Sequence, residues 1–407
     1  MRSFLVSPLA SAIGAACAAA VALPLLLPGS AVARPTEAGA RAGGTQSLAL
    51  QPLDFETRSG GDPGDGSPEP VEPLGTRGLP ATDTDPFSLL GVVWDDPSDE
   101  LNGTVQVRAR DAGTGDWSDW LDLEPGADHA PDPGTAEAGA DRVRGGTAPR
   151  WVGASDGVHV RVEPREDAPD AELPEGLSVE LIDPGVGEAD GELAGEVAPG
   201  GGAAAGDHEG PRPPIVIRSK WGADESLRES GFVYTDSVKT AFVHHTAGGN
   251  NYACSEAPSL LRGIYRYHVE SQGWRDVGYN FFVDKCGTIY EGRAGGVALP
   301  VQGAHTYGFN HNSMGVAVLG TYSSTDPGRD VRDALSLLTA WKLGLHDRDP
   351  AASANRTSGG GKYPAGTTVK LNNISGHRDG YATECPGDAL YDDLPVIRDT
   401  AHRLQGR

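Results

Sequence analysis

A chain of 407 residues has room for two or three folded units, and its 57 glycines and 31 prolines mark long connecting stretches beside them. The formal charge of −24 resides entirely in residues 1–213, because residues 214–407 hold 20 acidic and 20 basic side chains. With no basic stripe anywhere, this balance excludes a nucleic-acid partner, and the acidity reads as solvation.

The N-terminus has the layout of an export signal. Arg2 precedes an apolar run over residues 10–27, and Ala31-Val32-Ala33 offers a small-x-small cleavage pattern, so residues 1–33 read as a signal peptide. Pro24 and Pro28 interrupt the run, and no later segment has 18 continuous apolar residues, so no membrane association is expected after cleavage. Residues 34–84, rich in Gly, Pro, Asp and Glu, read as a disordered tether. Over residues 85–184, runs at 89–94, 105–108, 159–162 and 177–181 are β-rich or alternate apolar with polar, and turn formers separate them. They predict a small all-β, sandwich-like domain. Its Trp94, Trp117, Trp120 and Trp151 read as core and turn packing before they read as a glycan platform. Within it 126–148 is a loop of Gly, Ala, Asp and Pro, and 185–213 is a linker of Gly, Ala and acidic residues.

Residues 214–407 change texture. Strands are expected at 240–244, 279–283 and 314–319, with a hairpin turning at 285–287 into 288–290. Helices are expected at 258–272, with Pro258 near the first turn, and at 330–345, where Val331, Leu335, Leu338, Trp341 and Leu345 recur every three or four residues. The intermixing predicts an α/β domain with a central mixed β-sheet flanked by helices.

After signal removal three cysteines remain, Cys254, Cys286 and Cys385, and an odd number leaves one thiol that needs a role. His244 and His245 end an apolar strand, and adjacent strand residues point to opposite faces, so only one can serve a given site. His377 and Cys385 lie eight apart on a turn-rich loop. Two imidazoles and a thiolate suit a tetrahedral zinc with one position open to water. Spacing alone favours a buried thiol with two hydrogen-bonded histidines over zinc, since H-x7-C is no standard finger pattern. With Cys385 as a ligand, Cys254 and Cys286 remain to close a disulfide.

Seven stretches bear on that choice. They are 218–223 (RSKWGA), 243–248 (VHHTAG), 273–281 (GWRDVGYNF), 290–293 (YEGR), 303–305 (GAH), 310–315 (NHNSMG) and 376–387 (GHRDGYATECPG). Through them residues 214–404 closely resemble the peptidoglycan recognition protein family of zinc-dependent N-acetylmuramoyl-L-alanine amidases. The resemblance implies an amidase-like fold and a Zn2+ held by His244, His377 and Cys385, which selects His244 over His245. It implies that Tyr279 stabilises an oxyanion, with Thr383 adding a hydrogen bond, during cleavage of the bond between N-acetylmuramic acid and L-alanine. Trp274, Arg293, His305, Asn310 and Asn312 are expected along the substrate groove, the arginine suiting a stem-peptide carboxylate. His268, His311 and His346 read as structural. The expectation is a secreted, cell-wall-associated monomer whose partner is peptidoglycan. The alternative is a non-catalytic peptidoglycan-binding protein, although such members usually lack part of the ligand set that is complete here.

Overall fold

In the computed structural model of the chain, residues 42–53, 75–126, 129–165, 172–187, 190 and 208–407 are described, all within the compact unit Gly39–Arg407. The expected signal peptide, residues 34–41 and 54–74 of the expected tether, and the middle of the expected linker lie outside them.

The first domain is all β. Its strands are β1 (Gly44–Ala49), β2 (Gln51–Pro52), β3 (Arg77–Trp94), β4 (Gly103–Asp111), β5 (Leu121–Leu123), β6 (Gly145–Gly146), β7 (Arg150–Pro164) and β8 (Ser178–Asp183). They hydrogen-bond as one sheet in the order β1-β8-β3-β7-β4-β5, with β2 and β6 also paired to β3. The long β3 and β7 slip register between Leu79 and Leu89. Such irregularities bend strands, and here they let one sheet fold over its own core. Val105, Val107, Val158 and Val160 thereby meet Val92, Trp94, Val179 and Leu181. The domain begins earlier than composition suggested. Residues 44–49 and 77–84, read from sequence as tether, are strands, paired to β8 and, for the most part, to β7.

The second domain holds β9 (Thr240–His245), β10 (Phe281–Val283), β11 (Ile289–Glu291), β12 (Ser313–Val318), β13 (Ser353–Thr357), β14 (Thr368–Asn372) and β15 (Ile374–Gly376). Its helices are α1 (Arg218–Trp221), α2 (Ala257–Arg266), α3 (Gly328–Gly344), α4 (His377–Gly380), α5 (Asp388–Asp392) and α6 (Leu394–Leu404). Five strands form a mixed sheet in the order β11-β10-β12-β9-β15, in which only β10 and β11 are antiparallel. Strand β9 lies between two parallel neighbours with all six residues buried, which is why it reads as a continuous apolar run.

Helices cover both faces. On one, Val331, Leu335, Leu338 and Trp341 of α3 pack with Leu394, Ile397 and Ala401 of α6. On the other, Leu260, Leu261 and Ile264 of α2 pack on Phe282 and Ala317. The same cluster takes Leu89, Val93 and Ile182 from the first domain, so α2 is buried from two sides and the domains share a core. Past Arg266 the helix continues as a π-helical turn, Tyr267–Ser271. There the Tyr267 hydroxyl donates to the carbonyls of Thr147, at 3.0 Å, and Val92, at 3.3 Å. A Cβ at residue 91 would run into the Tyr267 ring, so this approach requires Gly91. Cys254 and Cys286 form a disulfide, leaving buried Cys385 outside it.

Candidate metal centre

Strand β9 delivers His244 and His245 at its end, and the pleat sends them apart. His245 Nδ1 accepts the Tyr322 N–H at 3.2 Å, and its Nε2 lies 3.8 Å from a Glu124 carboxylate oxygen. His244 turns the other way, with Nδ1 3.9 Å from Cys385 Sγ. Strand β15 runs parallel beside β9 and hands directly into α4, whose first residue is His377. The His244 and His377 ring centroids are therefore 4.4 Å apart. Cys385 follows α4 on a loop tied back by the Arg378 N–H to its carbonyl at 3.0 Å. The His245 N–H points at Cys385 Sγ from 3.4 Å.

These donors fit a metal. Two ligands at zinc distances and a tetrahedral angle lie roughly 3.3–3.6 Å apart, and the ligand atoms of His129, His244, His377 and Cys385 all lie within 4.8 Å of one another. The last three are buried. Burial, reinforced by His377, His305 and His129, holds the His244 imidazole well below its ordinary value, in the neutral form that ligates. Thr306 Oγ1 stands 3.5 Å from His244 Nε2, oriented in turn by His305 Nδ1 at 3.0 Å, and so backs that imidazole from behind.

Tyr279 is beside the centre, its ring 5.3 Å from that of His244 and edge-on to Phe282. Thr383 Oγ1 accepts the Cys385 N–H at 3.2 Å, so this bond braces the loop that carries Cys385. The residues expected along the groove separate into two groups. His305 is fully buried between Thr306 and Ser313, behind His244 and away from solvent. Asn312 is a turn residue at φ 55° whose side chain accepts the Ser237 N–H. Both serve the scaffold. Asn310 does so through its Oδ1, which accepts the His305 and Thr306 N–H groups, and with Trp274 and Arg293 it also meets the first domain.

The part that meets them is the loop between β5 and β6, closed at its base by the Gly126 N–H to Gly146 O bond. Asp132 accepts N–H bonds from Gly308, Asn310 and His311, and from the Asn310 side chain at 2.8 Å. Burial nevertheless pushes its carboxyl pKa up, against those donors. Glu137 grips the Arg293 guanidinium with bonds of 2.8 and 2.9 Å, the arginine buried and the glutamate largely covered. Val143 packs on Trp274. His129 reaches the centre itself, its ring 4.4 Å from His377, 5.3 Å from His244 and 5.6 Å from Tyr279. Sequence reasoning missed His129, Asp132 and Glu137, which sit in a stretch with neither periodicity nor motif; the only available signal was a histidine in an otherwise acidic loop. A cleft remains beside the loop, lined by Glu124, His129, His245, His268, Trp274 and Tyr279.

Compared with known proteins, residues 234–388 match the family described as N-acetylmuramoyl-L-alanine amidase. Residues 44–178 match a domain described as Rv3811 N-terminal galactose-binding domain-like. The chain is 31% identical over 183 residues to peptidoglycan-recognition protein SC2 of Drosophila simulans, a match covering 44% of this chain and 84% of that protein. It is 33% identical over 193 residues to an N-acetylmuramoyl-L-alanine amidase of Homo sapiens, covering 45% of this chain and 28% of that longer protein. Among solved structures, Drosophila PGRP-LB is similar at 26% identity and a TM-score of 0.36, covering 44% of this chain and 91% of that one.

Proposed function

We propose that this chain, which belongs to the family of peptidoglycan-recognition proteins and N-acetylmuramoyl-L-alanine amidases, is an exported zinc hydrolase. Its substrate is the amide between N-acetylmuramic acid and L-alanine in peptidoglycan. One observation carries the reading: buried His244, His377 and Cys385 bring two imidazoles and a thiol together beside Tyr279.

These three residues would hold zinc, which when bound supplies Lewis acidity at a carbonyl and renders water nucleophilic near neutral pH. The rest is the chain's own work. Tyr279 offers its phenolic O–H to the oxygen that gains charge as the amide carbon becomes tetrahedral. Thr306 keeps the His244 ring in its ligating orientation, and Thr383 holds the backbone of Cys385. Thr383 titrates too far from neutrality to carry a proton, so its share is positional or a hydrogen bond to substrate. Export is supported by the N-terminal signal pattern and by the Cys254–Cys286 disulfide, which suits an oxidising compartment.

The test is to incubate purified sacculi with the full chain and with Cys385→Ala, and to quantify new L-alanine amino termini. Release by the first and not the second supports the proposal. Equal release by both rejects the zinc chemistry, and binding to sacculi without release by any active-site-intact form favours a binding protein.

A further inference from the structure

We propose that His129, delivered by the first domain, is a fourth metal ligand that closes the centre until its loop withdraws. The inference rests on the metal centre described above and concerns its regulation. Three nitrogens and one sulfur within 4.8 Å of one another make a complete tetrahedral set. Catalytic zinc sites keep one of four positions for water or substrate, and structural sites fill all four. With His129 in place this centre has the filled kind of shell.

The loop is seated by more than proximity. Asp132 satisfies three backbone N–H groups of the 308–311 turn, and Asn310 returns a bond from its side chain to Ala130 O at 2.8 Å. Those anchors stand directly beside His129 in sequence and fix where its ring must go. Further along, Glu137 occupies the guanidinium of Arg293, and Arg142 pairs with Glu229. The floor is shaped for this chain segment, because a Cβ at Gly273 would strike the Arg142 carbonyl. Thus Trp274, Arg293 and Asn310, which the resemblance places along the substrate groove, each touch the loop instead.

The two parts of the first domain are held differently. Its sheet shares an apolar core with α2 through Leu89, Val93 and Ile182, which nothing in a glycopeptide would replace. Its loop is held chiefly by carboxylates on N–H groups and on Arg293, contacts that a stem-peptide carboxylate and amides reproduce. The loop is therefore the moving part, and the sheet is the mount on which it swings. Substrate competes for the loop's own anchors, and His129 leaves with them.

The experiment loads the full chain, His129→Ala, His129→Gln and Cys385→Ala with cobalt(II), then adds azide as a small anionic probe. The wild type should show a thiolate-to-cobalt band and ligand-field bands that azide leaves unchanged. Both His129 variants should keep the thiolate band, respond to azide, and lose metal to a chelator at least as readily as the roughly 10–100-fold loss typical of removing an outer-shell partner. If the closed form dominates, sacculus cleavage should also rise about tenfold or more in the His129 variants, and vanish when Cys385→Ala is added. Azide perturbing the wild type as readily as His129→Ala overturns the proposal. So does cleavage that does not rise, wherever the wild type cleaves measurably. A thiolate band surviving in Cys385→Ala would reject the metal centre itself. Absence of cleavage in every form, with the spectra as expected, would reject the amidase reading and leave His129 as the fourth ligand.

Discussion

Replacing Glu137 by glutamine removes the charge that Arg293 faces while keeping the side chain's size. Both partners are buried, the arginine side chain at 4% and the glutamate at 9% relative exposure, so solvent screening does little. Removing one partner of a buried ion pair typically costs about 3–5 kcal/mol, because the remaining charge is left uncompensated. Here the guanidinium keeps the carbonyls of Val277 at 2.8 Å, Gln302 at 3.2 Å and Asp276 at 3.3 Å. Glutamine can still accept one of its bonds, so the cost falls to about 2 kcal/mol. If the pair clamps the loop, that is a factor of roughly 30 in the loop's opening equilibrium. Amide hydrogen exchange reads it directly. Gly139 and Val143 donate within the loop, to Thr135 O and Ala140 O, and Gly308 donates across the interface to Asp132. All three should exchange about thirty times faster in Glu137→Gln, while the amides of β12 keep their protection. Loop amides within a few-fold of wild type would refute the clamp. Equal acceleration in β12 would show that the pair supports the whole fold.

Tyr279→Phe keeps the ring packed on His244 and Phe282, so melting should change little. Losing an oxyanion donor should lower kcat on a soluble muramyl peptide by about 10²–10³-fold with KM little changed; an unaltered kcat would remove Tyr279 from the chemistry. Serine at both Cys254 and Cys286 opens a loop of 32 residues, which should cost about 3–4 kcal/mol in denaturant unfolding, and a wild type indifferent to reductant would count against the bridge. Lys342 is buried, its Nζ donating to the carbonyls of Val297 and Leu299, and burial pushes its pKa down to about 7. The unfolded chain holds that proton to about pH 10, so from about pH 7 to 10 the unfolded state binds more protons and this group makes stability rise with pH. Below pH 7 both states are protonated and the slope from Lys342 disappears. Urea unfolding at a series of pH values should find that rise in the wild type and not in Lys342→Met; identical slopes would refute it.

What could be read without coordinates was whatever repeats locally or carries a motif. The stripe of Val331, Leu335, Leu338 and Trp341 announces α3 and lands on the core face as its spacing requires. The helix expected at 258–272 corresponds to α2 together with the π-helical turn that follows it. The short polar strand at 44–49 was not legible, because it is a strand only by virtue of pairing with β8, and tertiary context overrides a weak local preference. The same holds for the site. His244, His377 and Cys385 stand in recognisable surroundings, but the loop that covers them is irregular, and its partners lie more than a hundred residues away.

Composition concealed that loop in a particular manner. The surplus of acid in the first 213 residues, against an even balance in the rest, reads as solvation when averaged. Averaging hides that Asp132 and Glu137 are largely withdrawn from solvent. One is buried under the N–H groups of the 308–311 turn, the other on the Arg293 guanidinium. Part of the acidity is therefore an intramolecular match to N–H and guanidinium donors of the second domain. Donors that suit carboxylates will take them from their own chain when these are tethered nearby, since the tether removes most of the entropic cost of meeting. The acid that looks unspecific in the sequence is, at these two positions, what aims His129 at the centre.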